Sequence, residues 1–224
     1  MSRFRMITRI AAIALMATAA GAQADTVAIR YAGNGPVLAT HVSVNGNDLH
    51  AYIGSYNLEL QGQGGSFAAF CVDPFQTSVG SFQPYERSPL TTANLPAVQA
   101  VRLADVQRLF GNAYAGSLAN STKAAGFQLA LWEVWHDDKS LTTGNIMELT
   151  SSHGGMVSEA NTLLSALASP TAWPTNGMSY SMTFYSNATY QDYIAVVPEP
   201  ETHALLLGGL ALLGFAAKRR KAAA

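Results

Sequence analysis

Ser121-Thr122-Lys123-Ala124-Ala125-Gly126-Phe127-Gln128-Leu129-Ala130-Leu131-Trp132-Glu133-Val134-Trp135 has the spacing of a buried helix. Phe127, Leu131 and Trp135 fall four apart and mark one face, and Gln128 and Trp132 share the next stripe. Asn120, Ser121 or Thr122 can cap its first turn, and the polar run Asp137-Asp138-Lys139-Ser140 ends it. A second helix is expected over 98–118 from the spacing of Val101, Leu103, Val106, Leu109 and Phe110. A third is expected over 156–167, stopped at Ser169-Pro170. On either side of these helices the period changes to two. Segments 26–31, 38–44, 49–53 and 56–60 read as short strands, with Asn45-Gly46 as a hairpin turn. Segment 66–72 reads as a buried strand ending at Asp73-Pro74, and 178–185 and 190–196 as closing strands. Residues 77–95 are polar and turn-rich, with Pro84 and Pro89 inside them. The order strands, helices, strands predicts an α+β fold, a β-sandwich or barrel with a helical insert.

The two ends stand outside that fold. Arg3, Arg5 and Arg9 precede an apolar stretch over 10–20, and Ala22-Gln23-Ala24 offers small residues to a signal peptidase. A signal peptide is therefore expected at 1–24, with an extracellular domain over 25–197. At the other end stands Pro198-Glu199-Pro200-Glu201. An apolar run follows over 202–217, about 24 Å long as a helix at 1.5 Å per residue, and then Lys218-Arg219-Arg220-Lys221. A bilayer core is about 30 Å thick, so this is a short transmembrane span with a basic stop that favours the cytoplasmic side. The block resembles the PEP-CTERM sorting signal of Gram-negative bacteria over 197–221. The resemblance implies handling by an exosortase-like membrane protease, with Pro198, Glu199 and Pro200 as the sorting motif. It also implies a membrane-anchored precursor destined for the cell surface, outer membrane or extracellular matrix.

Within 25–197 there are 6 Lys and Arg against 12 Asp and Glu, a net charge of −6. An acidic exported domain has no electrostatic footprint for nucleic acid. Cys71 is the only cysteine in the chain. Exported proteins use cysteines in pairs, so an odd one is a buried thiol, a cross-link to a second chain, a nucleophile or half of another covalent bond. Gln128 is a second oddity, a polar side chain in an apolar helix that must find partners. The two explain each other if they meet. A thiolate that attacks a glutamine amide expels ammonia and leaves a thioester, provided the fold holds the pair in contact and polarises the carbonyl.

Phe70-Cys71-Val72-Asp73 and Gln128-Leu129-Ala130-Leu131-Trp132 resemble the two signatures of the bacterial thioester, or TQxA, domain, over about 67–134. The threonine that often precedes the glutamine in that family is Phe127 here. The resemblance implies a surface adhesin in which Cys71 and Gln128 form the cross-link. Phe70, Phe127 and Trp132 would then shield it from water. The protein would capture an extracellular protein amine or a polysaccharide hydroxyl, without a cofactor or metal and without enzymatic turnover. Two other readings stay open: a non-covalent binding or matrix-structural domain with an ordinary buried thiol, and a cysteine hydrolase. For the latter, His41, His50 and His153 show no spacing that selects a base. His136-Asp137-Asp138 reads as a solvated helix end rather than a metal cluster.

Overall fold

Asn45 and Gly46 both take positive φ, 52° and 77°, the two-residue turn that suits the twist of a hairpin. They fold β1 (Asp25–Val44) back on β2 (Asn47–Leu60). The computed structural model describes residues 24–94, 100–136, 138–144, 146–148, 153–169, 173 and 180–196. Apart from Ala24, the leader expected at 1–24 lies outside the described residues, as do the sorting segment 198–224 and its span at 202–217. Among the described residues no helix is long and apolar enough to cross a membrane.

Four strands were expected where two long ones run. β1 passes through Pro36 by shifting register between Tyr31 and Gly33 and again between Asn34 and Val37. Opposite this bulge Gly54 has φ +144°, and a Cβ there would lie 2.3 Å from the Pro36 carbonyl oxygen. Glycine lets β2 continue past the irregularity instead of breaking at it.

β2 pairs with β3 (Phe67–Cys71), β3 with β7 (Tyr193–Val196) and β7 with β6 (Met182–Ser186). β6 pairs with β4 (Gln83–Pro89), and β4 returns to the first residues of β1. Every pairing is antiparallel, and the six strands close a ring, the barrel alternative of the expected α+β architecture. A short β5 (Ile146–Glu148) adds to the far end of β1. β4 falls within the segment expected to be turns, because prolines argue against a strand. Pro84 and Pro89 stand at its second and last positions, where a missing N–H interrupts the ladder least.

Between β4 and β6 the chain forms α1 (Ala100–Ser117), α2 (Ser121–His136) and α3 (Gly154–Ala168). Asn120 caps α2: its Oδ1 accepts the Lys123 N–H at 3.0 Å. Every residue of α2 from Ala124 to Trp135 is buried, so the helix has no solvent face. It packs on β1 and β2 and is flanked by α1 and α3. Gly126 permits the approach of α3, since a Cβ there would lie 2.6 Å from the Glu159 Cβ.

Candidate functional site

Successive residues of a strand face opposite ways, and β3 uses both directions. Phe70 turns outward to the helices, with its ring 4.5 Å from that of Phe127 and edge-on to Phe110 at 6.3 Å. Cys71 turns inward, fully buried, with Tyr193 opposite it in register on β7.

Gln128, expected to meet the Cys71 sulfur, reaches the Cys71 main chain. Its Oε1 accepts the Cys71 N–H at 3.0 Å, and its Nε2 donates to the Cys71 carbonyl at 2.7 Å. The side-chain amide thus stands in for a strand neighbour where β3 ends. Trp132, one turn further along the same stripe, donates its Nε1–H to the same carbonyl at 3.1 Å. Helix and strand are pinned at one peptide, with the Gln128 amide both accepting from it and donating to it.

The sulfur itself meets a different glutamine. Gln191 Nε2 lies 2.7 Å from Cys71 Sγ. Ordinary N–H···O bonds are about 2.9–3.0 Å, so this contact is shorter than the usual bond to oxygen although sulfur is the larger atom. The thiol also donates to the Asp73 carbonyl at 3.1 Å. Gln191 is held from every side. Its Oε1 accepts the Ser78 hydroxyl at 2.7 Å, and Ser78 Oγ in turn accepts the Tyr193 hydroxyl at 2.8 Å. Its own N–H donates to the Thr77 carbonyl, and its carbonyl accepts from Tyr85.

The thiol's surroundings are buried. Burial, and secondarily the Asp73 carboxylate, push the Cys71 thiol well above its ordinary range, so it rests protonated. Burial likewise raises Tyr56, Tyr85 and Tyr193 above the ordinary phenol range. These phenols stay hydrogen-bond donors at any physiological pH. The sulfur's partners are the Gln191 amide, the Asp73 carbonyl and the Trp132 indole, none of which is a base. His136 Nε2 sits on the Val72 carbonyl at 2.5 Å. His41 stacks on His50 at the β1–β2 hairpin, with ring centroids 4.4 Å apart. A groove lined by Val72, Asp73, Phe75, Trp135, His136, Asp192 and their neighbours opens at the residues that follow Cys71 and Gln191, and the buried thiol is not part of its lining.

Asp192 makes this rim pH-sensitive. Burial raises its carboxyl to about 6, against the Asn187 N–H it accepts and with the nearby Asp73 carboxylate adding to the rise. An acid whose folded pKa lies above its unfolded one adds stability when protonated, fully below the unfolded value near 3.8. That contribution is lost as pH rises through about 6. Between pH 7 and pH 4 the Asp192→Asn variant should therefore gain less melting temperature on acidification than the parent. Equal pH profiles in thermal melts would refute it.

Of the expected shielding residues, Trp132 lies at the Cys71 peptide. Phe70 and Phe127 pack together on the opposite side of β3 from the sulfur, in a cluster with Phe110 and Tyr114. The residues missed by sequence reasoning are Gln191, Ser78 and the inward tyrosines. Gln191 carried a usable signal, since Tyr190-Gln191-Asp192-Tyr193-Ile194 sets a glutamine among aromatic and apolar residues, as α2 does for Gln128. Among the described residues no three His, Cys, Asp or Glu side chains group as a metal site. The sorting motif Pro198, Glu199 and Pro200 lies outside the described residues.

Comparison with known proteins locates one family feature, in the tail. No curated protein and no solved structure matches the chain. Residues 196–221 match the PEP-CTERM protein-sorting motif, as the resemblance in the sequence implied. The chain therefore carries the sorting signal of PEP-CTERM proteins, and is an exported protein processed by exosortase at the membrane and then held at the cell surface.

Proposed function

We propose that this exported protein forms an internal thioester between Cys71 and Gln191 and uses it to attach covalently to an extracellular nucleophile. The observation that carries the reading is the 2.7 Å approach of the Gln191 amide nitrogen to Cys71 Sγ inside a closed, buried site. In the condensation Sγ bonds to the Gln191 side-chain carbonyl carbon. The C–N bond breaks, and the thiol proton leaves with the nitrogen as ammonia. The product is neutral, so the burial that disfavours a thiolate does not disfavour the bond. A protein amine that reaches the carbonyl then takes the acyl group, leaving an amide to Gln191 and a free Cys71 thiol. A polysaccharide hydroxyl would give an ester by the same step. Such a site acts once, which suits a thiol with no resting thiolate better than a hydrolase would.

Gln128 and Trp132 serve in this reading as the clamp that fixes the Cys71 backbone while the side chains react. The test is the intact mass of the purified protein, with and without methylamine. A deficit of one ammonia, replaced by one methylamine on treatment, is expected. A full-mass protein that methylamine leaves unchanged would refute the thioester.

Attachment needs delivery to the surface, and the tail supplies it. Pro198 and Pro200 fix φ and lack N–H groups, and each biases the residue before it toward extended backbone, a form that a protease can bind by strand pairing. Changing Pro198, Glu199 and Pro200 to alanine should trap the full-length precursor in the membrane fraction. Processing of that variant at the parent rate, followed by immunoblot of cell fractions, would reduce the motif to a linker.

A further inference from the structure

We infer that Ser78 and Tyr193 form a two-hydroxyl relay that polarises the Gln191 carbonyl, acting as the electrophilic half of the site. The inference rests on the Cys71–Gln191 reading and adds the residues that make an unreactive amide attackable. A carboxamide is a poor electrophile, and the resting thiol is protonated, so the barrier lies in developing negative charge on Gln191 Oε1 as Sγ adds to the carbonyl carbon. The Ser78 hydroxyl already points at that oxygen from 2.7 Å, within the distance at which an oxyanion donor acts. Ser78 cannot turn away easily, because its own oxygen accepts the Tyr193 hydroxyl at 2.8 Å. That donation fixes the Ser78 rotor and strengthens its O–H as a donor. Tyr193 stands opposite Cys71 in register on the neighbouring strand, so the inner hydroxyl of the relay and the nucleophile are held by one ladder.

The relay needs no charge. It acts in the forward step, when Sγ–C forms and C–N breaks with loss of ammonia. It acts again when an amine attacks the thioester, Sγ–C breaks and the sulfur recovers a proton from the incoming nitrogen. Ser78 touches the reacting carbonyl; Tyr193 is a positioning residue that works through it.

The protein is refolded from denaturant, and its intact mass is followed in time for the parent, Ser78→Ala, Ser78→Thr and Tyr193→Phe. Loss of a single oxyanion donor typically slows a reaction about 100- to 1,000-fold. That slowing of ammonia loss is expected for Ser78→Ala, with most of the rate regained in Ser78→Thr, which keeps the hydroxyl. Tyr193→Phe should be slowed less, about tenfold, with a matching slowing of methylamine uptake by its preformed thioester. Its thioester carbonyl stretch should also move to higher frequency in the infrared, because the hydrogen bond on the oxygen is weakened. A merely structural role would leave that band in place. Parent-like ammonia loss in Ser78→Ala, or an unmoved band in Tyr193→Phe, would overturn the relay while leaving the Cys71–Gln191 bond standing. Absence of any ammonia deficit in the parent would overturn both. Should Ser78→Ala fail to fold, the Tyr193→Phe band and rates decide alone.

Discussion

Gln191→Ala should erase the ammonia deficit and all methylamine labelling, whereas Gln128→Ala should keep the bond in every molecule that folds. The two glutamines touch the same cysteine through different atoms, and this experiment tells their roles apart. Removing Gln191 removes the carbonyl carbon that the sulfur attacks. Removing Gln128 leaves the Cys71 N–H without the Oε1 it donates to, while the carbonyl keeps the Trp132 donor. A buried donor stripped of its partner costs about 1–3 kcal/mol, and the vacated side-chain volume adds to that. A domain of ordinary stability holds about 5–15 kcal/mol in total, so Gln128→Ala should melt clearly lower yet remain measurable. Intact mass and circular dichroism on both variants check the pair. A folded Gln128→Ala protein of full mass would return the bond to Gln128 and leave Gln191 as a neighbour.

Trp132→Ala should give the largest loss of stability, about 3–5 kcal/mol for truncating a buried aromatic of this size. It should also shorten the life of the thioester. The indole is 2% exposed and donates to the Cys71 carbonyl, so its removal both frees the strand end and opens space for water beside the sulfur. Trp132→Phe separates the two effects, because it retains most of the ring while losing the N–H. Hydrolysis is read as regain of one water on the intact mass at neutral pH. An equally durable thioester in a folded Trp132→Ala protein would leave Trp132 as packing alone.

The helices were the most legible part of the sequence, because a 3.6-residue period over a dozen or more residues has few competing explanations. α2 was placed to within one residue, with Asn120 among its expected caps. The strands were legible as elements but not in length. Nothing in Gly33, Pro36 or Gly54 announces that a bulge on one strand and a permissive glycine on its partner let both continue. β4 was hidden by two prolines whose harmlessness depends on standing near the strand ends. At the site, Cys71 stood out by being the sole cysteine, and Gln128 by being polar in an apolar helix. Which atoms of Cys71 a glutamine would reach depends on the pairing of β3 with β7, a contact between residues more than a hundred apart. Gln191 resembles Gln128 in its setting, and only the closed ring of strands brings it to the sulfur.

The place of Gln191 in the chain has a mechanical consequence. It lies two residues before β7, the last strand described, and the sorting motif begins at Pro198. If the captured partner hangs on Gln191 and the processed end of the chain is fixed to the cell, tension between them runs along residues 191–197 alone. The other strands of the ring and all three helices lie off that line. Pulling on the attached partner would then draw on one short stretch of backbone flanked by β3 and β6, while the rest of the domain goes unstretched. A bond at Gln128 would instead route the same tension through the end of α2, β5, α3, β6 and β7 before reaching the tail, and a tug would unravel the fold that holds the catch.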